Sequence, residues 1–111
     1  MILTFLGTVL AWGAGAMTRA QLEARSRKFL LGLRETQKRQ LRGQREIVRL
    51  NRLLDPGERI APDLEQRRFT TQAIALTTPE VLHNAPLEEL LQIMEHLRDL
   101  AVKFSKKRTM H

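Results

Sequence analysis

The chain has 111 residues, no Cys, no Tyr, four Phe and one Trp, with a net charge of +7 at pH 7. Its size bounds it to one modest domain, and the absence of Cys excludes a disulfide scaffold, a thiolate zinc site and a thiol nucleophile. The basic excess favours anionic partners: phospholipid headgroups, nucleic acid or an acidic protein face.

Residues 1–18, MILTFLGTVLAWGAGAMT, carry no ionisable side chain. As a helix they span about 27 Å, near the lower limit for a bilayer's hydrocarbon core. A transmembrane helix is the reading adopted. A buried helix of a soluble protein and a cleaved secretory signal compete with it. Ala14-Gly15-Ala16 offers small residues for a signal cleavage site, but no positive charge precedes the apolar run. Within the run Gly7, Ala11 and Gly15 recur every four residues, which sets small side chains on one face where a neighbouring helix packs closely. Trp12 and Met17 sit toward the basic end, where an indole rests near headgroups.

Residues 19–54 are predicted as a long basic amphipathic helix that continues the membrane helix, with Thr18 able to cap it. Arg19 to Arg52 hold eleven Lys/Arg against Glu23, Glu35 and Glu46. No Pro interrupts the stretch, and Gly32 and Gly43 are its only weak helix formers. Arg19, Arg25, Arg27 and Lys28 follow the apolar run and are candidate contacts for anionic lipid such as cardiolipin. By the positive-inside tendency they place this side in the bacterial cytoplasm or the mitochondrial matrix. Leu22, Phe29 and Leu33, then Ile47 and Leu54, read as two apolar docking patches for partners. A cationic middle separates them, in which Lys38, Arg39, Arg42, Arg45 and Arg49 are candidate contacts for RNA or an acidic partner. Aromatic interleaving for base stacking is absent there.

Residues 55–86 read as a turn-rich linker with short helices. Pro56-Gly57 stops the long helix. The chain restarts after Pro62, and Thr78-Pro79-Glu80 resembles another helix start. Residues 87–105 form the clearest amphipathic helix, with Leu87, Leu90, Leu91, Met94, Leu97, Ala101 and Phe104 at 3/4 spacing. Glu88 and Glu89 in its first turn suit the helix dipole. These apolar residues are expected to dock on a partner or on the long helix. Residues 106–111 are a basic tail. His83, His96 and His111 are scattered without metal-ligand spacing, no phosphate-binding glycine loop occurs, and neither enzymatic activity nor a cofactor is expected.

FLGTVLAWGAGAMTR followed by a long charged helix resembles subunit e of the mitochondrial F-type ATP synthase, over residues 1–50. The resemblance implies a short membrane helix packed through a glycine motif, with Gly7, Ala11 and Gly15 on the packing face. The middle position here is Ala rather than Gly, and residues 55–111 have no counterpart. That family keeps its charged helix in the intermembrane space, opposite to the side the basic flank favours. Together these readings give an all-α chain without an independent globular core. Its expected role is a structural accessory subunit in a hetero-oligomeric complex of the mitochondrial inner membrane, ATP synthase or respiratory chain. A bacterial inner-membrane protein of the same layout is the alternative location. The alternative function is a soluble helical ribosomal or ribonucleoprotein component that binds RNA through its basic helix.

Overall fold

The computed structural model describes residues 18–109. Four α-helices follow in order: α1 (Arg19–Asn51), α2 (Leu64–Leu76), α3 (Pro79–Asn84) and α4 (Leu87–Thr109). A single 3₁₀ turn, Pro56–Glu58, lies between α1 and α2. Among the described residues no helix is long and apolar enough to cross a membrane. The expected membrane helix, with its Gly7, Ala11 and Gly15 face, lies outside the described residues.

The long helix starts afresh and does not simply continue what precedes it. Thr18 is its N-cap in an extended conformation, φ −67° and ψ 159°. The Thr18 hydroxyl accepts from the Gln21 N–H, and the Gln21 side chain accepts from the Thr18 N–H. This reciprocal pair satisfies two donors that a helix start leaves orphaned. At the other end α1 stops at Asn51, three residues before the expected Leu54. Arg52, Leu53 and Leu54 donate to Arg49, Leu50 and Asn51, tightening the last turn into i→i−3 bonds ahead of Pro56. The Asn51 side-chain amide then grips the returning chain: it donates to the Ile60 carbonyl and accepts from the Ile60 N–H, both at 2.9 Å.

The caps of the next helices match the sequence. Asp63 accepts from the Gln66 N–H, and Thr78 accepts from the Val81 N–H with Pro79 in the first turn. Partners along α1 run in descending order as the chain proceeds. Gln37 meets Thr70, Arg34 meets Ile74 and Thr77, Arg27 meets Leu82 and Ala85, and Arg19 meets Glu88. Residues 70–88 thus travel back along α1 toward its start. From there α4 returns beside α1 and packs on both α1 and α2. The described residues extend 56 × 31 × 16 Å, the long dimension being that of α1, about 50 Å for 33 residues.

A core of the chain's own corrects the expectation that none forms. Leu30, Phe69, Ala73, Leu82, Ala85, Leu90, Ile93, Met94, Leu97, Leu100, Ala101 and Phe104 are buried together, with Phe29, Leu33, Leu76 and Val81 packed against them. The short helices expected within residues 55–86 are α2 and α3, and they supply part of the core. Of the two coverings expected for Leu90, Met94, Leu97 and Phe104, the structure shows the one within the chain, against α1 and α2; Phe29 and Leu33 pack against the same core and Leu87 is also buried. On α4 six of the seven expected stripe residues are buried, Leu87, Leu90, Met94, Leu97, Ala101 and Phe104. Leu91 stays exposed, while Ile93 and Leu100 go in, because α4 touches two helices and its buried face widens toward the Ile93/Leu100 side. Helix α4 also runs to Thr109, past the expected boundary at 105 and through the start of the basic tail.

Gly32 and Gly43 lie in α1 with no neighbour within 4 Å of an added Cβ and no positive φ. Gly32→Ala and Gly43→Ala are each expected to stabilise the fold by about 1 kcal/mol, read as a higher urea midpoint. A lower midpoint would show that this face of α1 is closely packed by something else.

Candidate functional site

The cations of α1 divide into two groups with different surroundings. Near its start they are engaged within the fold. Arg19 forms an ion pair with Glu88 of α4. The Glu88 carboxyl is held below its usual range, first by its own backbone N–H at the α4 start and then by Arg19. Arg27 is half-buried and spent on backbone: Nε donates to the Leu82 carbonyl at 2.7 Å and Nη2 to the Ala85 carbonyl at 2.9 Å. Glu23 accepts from the same Nη2 at 3.2 Å. The lipid-contact reading of Arg27 is thereby corrected, since its guanidinium faces the end of α3. Arg25 and Lys28 are exposed.

Arg34, one heptad on, has the same kind of role. Its Nη1 donates to the Ile74 and Thr77 carbonyls at 2.9 and 3.0 Å. The end of α2 and the end of α3 are each held by an arginine of α1, where orphaned carbonyls and the negative end of the helix dipole favour a cation. Arg34 was not singled out in the sequence. Its signal there is its place beside the core stripe, four residues after Leu30, with Arg27 three before it.

Past residue 37 the cations face outward. Lys38, Arg42, Arg45, Arg49 and Arg52 follow a 4-3-4-3 spacing, which places them within an arc of about 80° along about 21 Å of helix. All five are exposed, and so is Arg39 on an adjacent face. Lys38 pairs with Glu35, and Arg49 with Glu46. The Arg49 hydrogen bond holds the Glu46 carboxyl below its usual range. Arg39, Arg42, Arg45 and Arg52 form no ion pair among the described residues. Arg52 completes the row; its signal was the unbroken spacing, hidden by the helix end just beyond it.

Exposed apolar side chains occur at the same end, Val48 and Leu53 bordering the row and Ile47 and Leu50 on the far side of the helix. Ile47, Val48, Leu50, Leu53, Ile60 and Leu64 are all exposed, Leu53 at 78%. Leu64 borders a shallow groove with Arg67, Arg68, Thr71 and Gln72. The docking patch expected around Ile47 and Leu54 is thus left uncovered, with Leu54 half-buried, whereas Leu22 is half-buried at the opposite end of α1. Val48 lies on the same face as Leu30 and Leu41, so the core stripe of α1 runs on past the helices that cover it. No group of three or more His, Asp or Glu able to hold a metal ion occurs among the described residues.

Comparison with protein families, with curated proteins and with solved structures finds no match to this chain.

Proposed function

We propose that the chain is a non-catalytic structural component of a membrane-bound assembly. In its fullest form it is an accessory subunit of a mitochondrial inner-membrane energy-transducing complex, ATP synthase or respiratory chain. Residues 1–18 hold it to the bilayer, and the helical unit meets neighbouring subunits. The observation that carries this reading is the boundary at Thr18. Eighteen residues without an ionisable side chain meet a helix that has its own capping box and its own core partners. The use of the polar side chains supports it too: Arg27, Arg34, Asn51 and the Gln37–Thr70 pair hold backbone and helix contacts in place.

A ribonucleoprotein component is the second reading, favoured by the Lys38–Arg52 row alone. Purification in mild detergent with a high-salt wash separates the two. Recovery with hydrophobic membrane subunits is the expected result, because lipid-embedded packing resists salt. Phosphate contacts through several Lys/Arg weaken steeply with it. Recovery of ribosomal proteins and RNA, or loss of all partners in salt, overturns the membrane reading. Gly7→Leu with Gly15→Leu is expected to weaken assembly while membrane insertion persists.

A further inference from the structure

We infer that the distal end of α1, with the loop returning from it, is a binding surface for anionic phospholipid, and that it lays the long axis of the unit along the bilayer. The inference rests on the membrane reading above and moves the lipid contact away from the residues next to Thr18.

Two observations coincide at this end. Arg42, Arg45 and Arg52 are exposed in one row and form no ion pair among the described residues, which leaves their charge for an anionic surface. Val48 and Leu53, both exposed, border the row on either side, about 80° and 60° around the helix from its centre. A surface helix that pairs a cationic row with bulky aliphatics suits the headgroup boundary. There the aliphatics enter the acyl edge and the arginines reach the phosphates. Charge complementarity argues against a second copy as the occupant, because the row would face its own like charge. RNA would use the arginines and leave the aliphatics in water, and no aromatic stands near for base stacking.

The shape of the unit fits. Val48 lies about 45 Å along the helix axis from Thr18, so both ends touch one bilayer only if α1 lies along it. A thickness of 16 Å keeps the rest of the unit close to the surface.

The absence of Cys makes the test direct. The full chain carrying Leu53→Cys takes one polarity-sensitive fluorophore. It is added to vesicles of phosphatidylcholine alone, or of phosphatidylcholine with phosphatidylglycerol. Flotation reports whether the chain holds to lipid; a blue shift and shielding from aqueous iodide report whether residue 53 does. Flotation with both vesicles and a blue shift only with the anionic ones is the expected result. Arg42→Gln, Arg45→Gln and Arg52→Gln together are expected to weaken docking of the label about 100-fold, at roughly tenfold or less per charge, with unchanged helical circular dichroism. The matching Lys triple is expected to retain it. Flotation with anionic vesicles alone, with the blue shift present, would sink the anchor and uphold this surface. Flotation with both and no blue shift would overturn this surface and leave the anchor standing. Shielding of the label by single-stranded RNA, in place of vesicles, would also overturn it.

Discussion

Leu97→Ala is expected to cost the fold about 3 kcal/mol, and Phe69→Ala at least as much, as a lower urea midpoint at unchanged slope. Leu97 is fully buried on α4, and Phe69 is 2% exposed on α2. Both belong to the one core where α1, α2 and α4 meet. Truncation removes the transfer energy of the lost carbons and leaves a cavity that packed neighbours fill poorly. Against a total stability on the order of 5–10 kcal/mol for a domain of this size, that is a large fraction. Leu53→Ala is the contrast: the residue has the same chemistry, is 78% exposed, and is expected to change stability by less than about 0.5 kcal/mol. The comparison decides what covers α4. If its leucines met a partner subunit, truncating Leu97 would move the isolated chain no more than truncating Leu53. That outcome would contradict the internal core.

What the sequence made legible was governed by local rules. Thr18, Asp63 and Thr78 cap helices because a short polar side chain reaches a nearby N–H, and Pro56 and Pro79 act through their own ring and neighbours. The α4 face was readable from its spacing. What covers that face was not, because it depends on contacts between residues about 50 to 60 positions apart, such as Arg27 with Leu82 and Ala85. The same gap misplaced Arg27. Its charge near an apolar segment suggested lipid, and only the fold brings two carbonyls to it. The burial of Gln37 was hidden for a related reason. Gln37 lies in the cationic middle of α1 yet is buried, where its side-chain carbonyl accepts from the buried Thr70 hydroxyl at 2.8 Å. At the cationic row, composition and spacing were sufficient for all but Arg52. Its outward direction needed only the helix and no partner.

Arg27→Met and Arg34→Met are each expected to destabilise the chain by about 2 kcal/mol, the scale of lost hydrogen bonds to a charged donor. Each guanidinium holds two carbonyls at a helix end: Leu82 and Ala85 for Arg27, Ile74 and Thr77 for Arg34. Methionine keeps most of the aliphatic stem and removes the donors, so the cost falls on the carbonyls and not on packing. Lysine is expected to rescue only in part, because one ammonium does not reproduce the planar fork that spans two carbonyls. The two sites stand about 10 Å apart on α1 and share no acceptor, so the double variant is expected to lose close to the sum. Hydrogen exchange gives the distinguishing readout. Amides at the end of α2 and in α3 should exchange faster in both variants, while those of α1 near Arg45 keep the protection of the parent chain. Uniform loss of protection along α1 would instead mean that the arginines act on the long helix itself. In that case the pinning of α2 and α3 by their C-terminal carbonyls would be wrong.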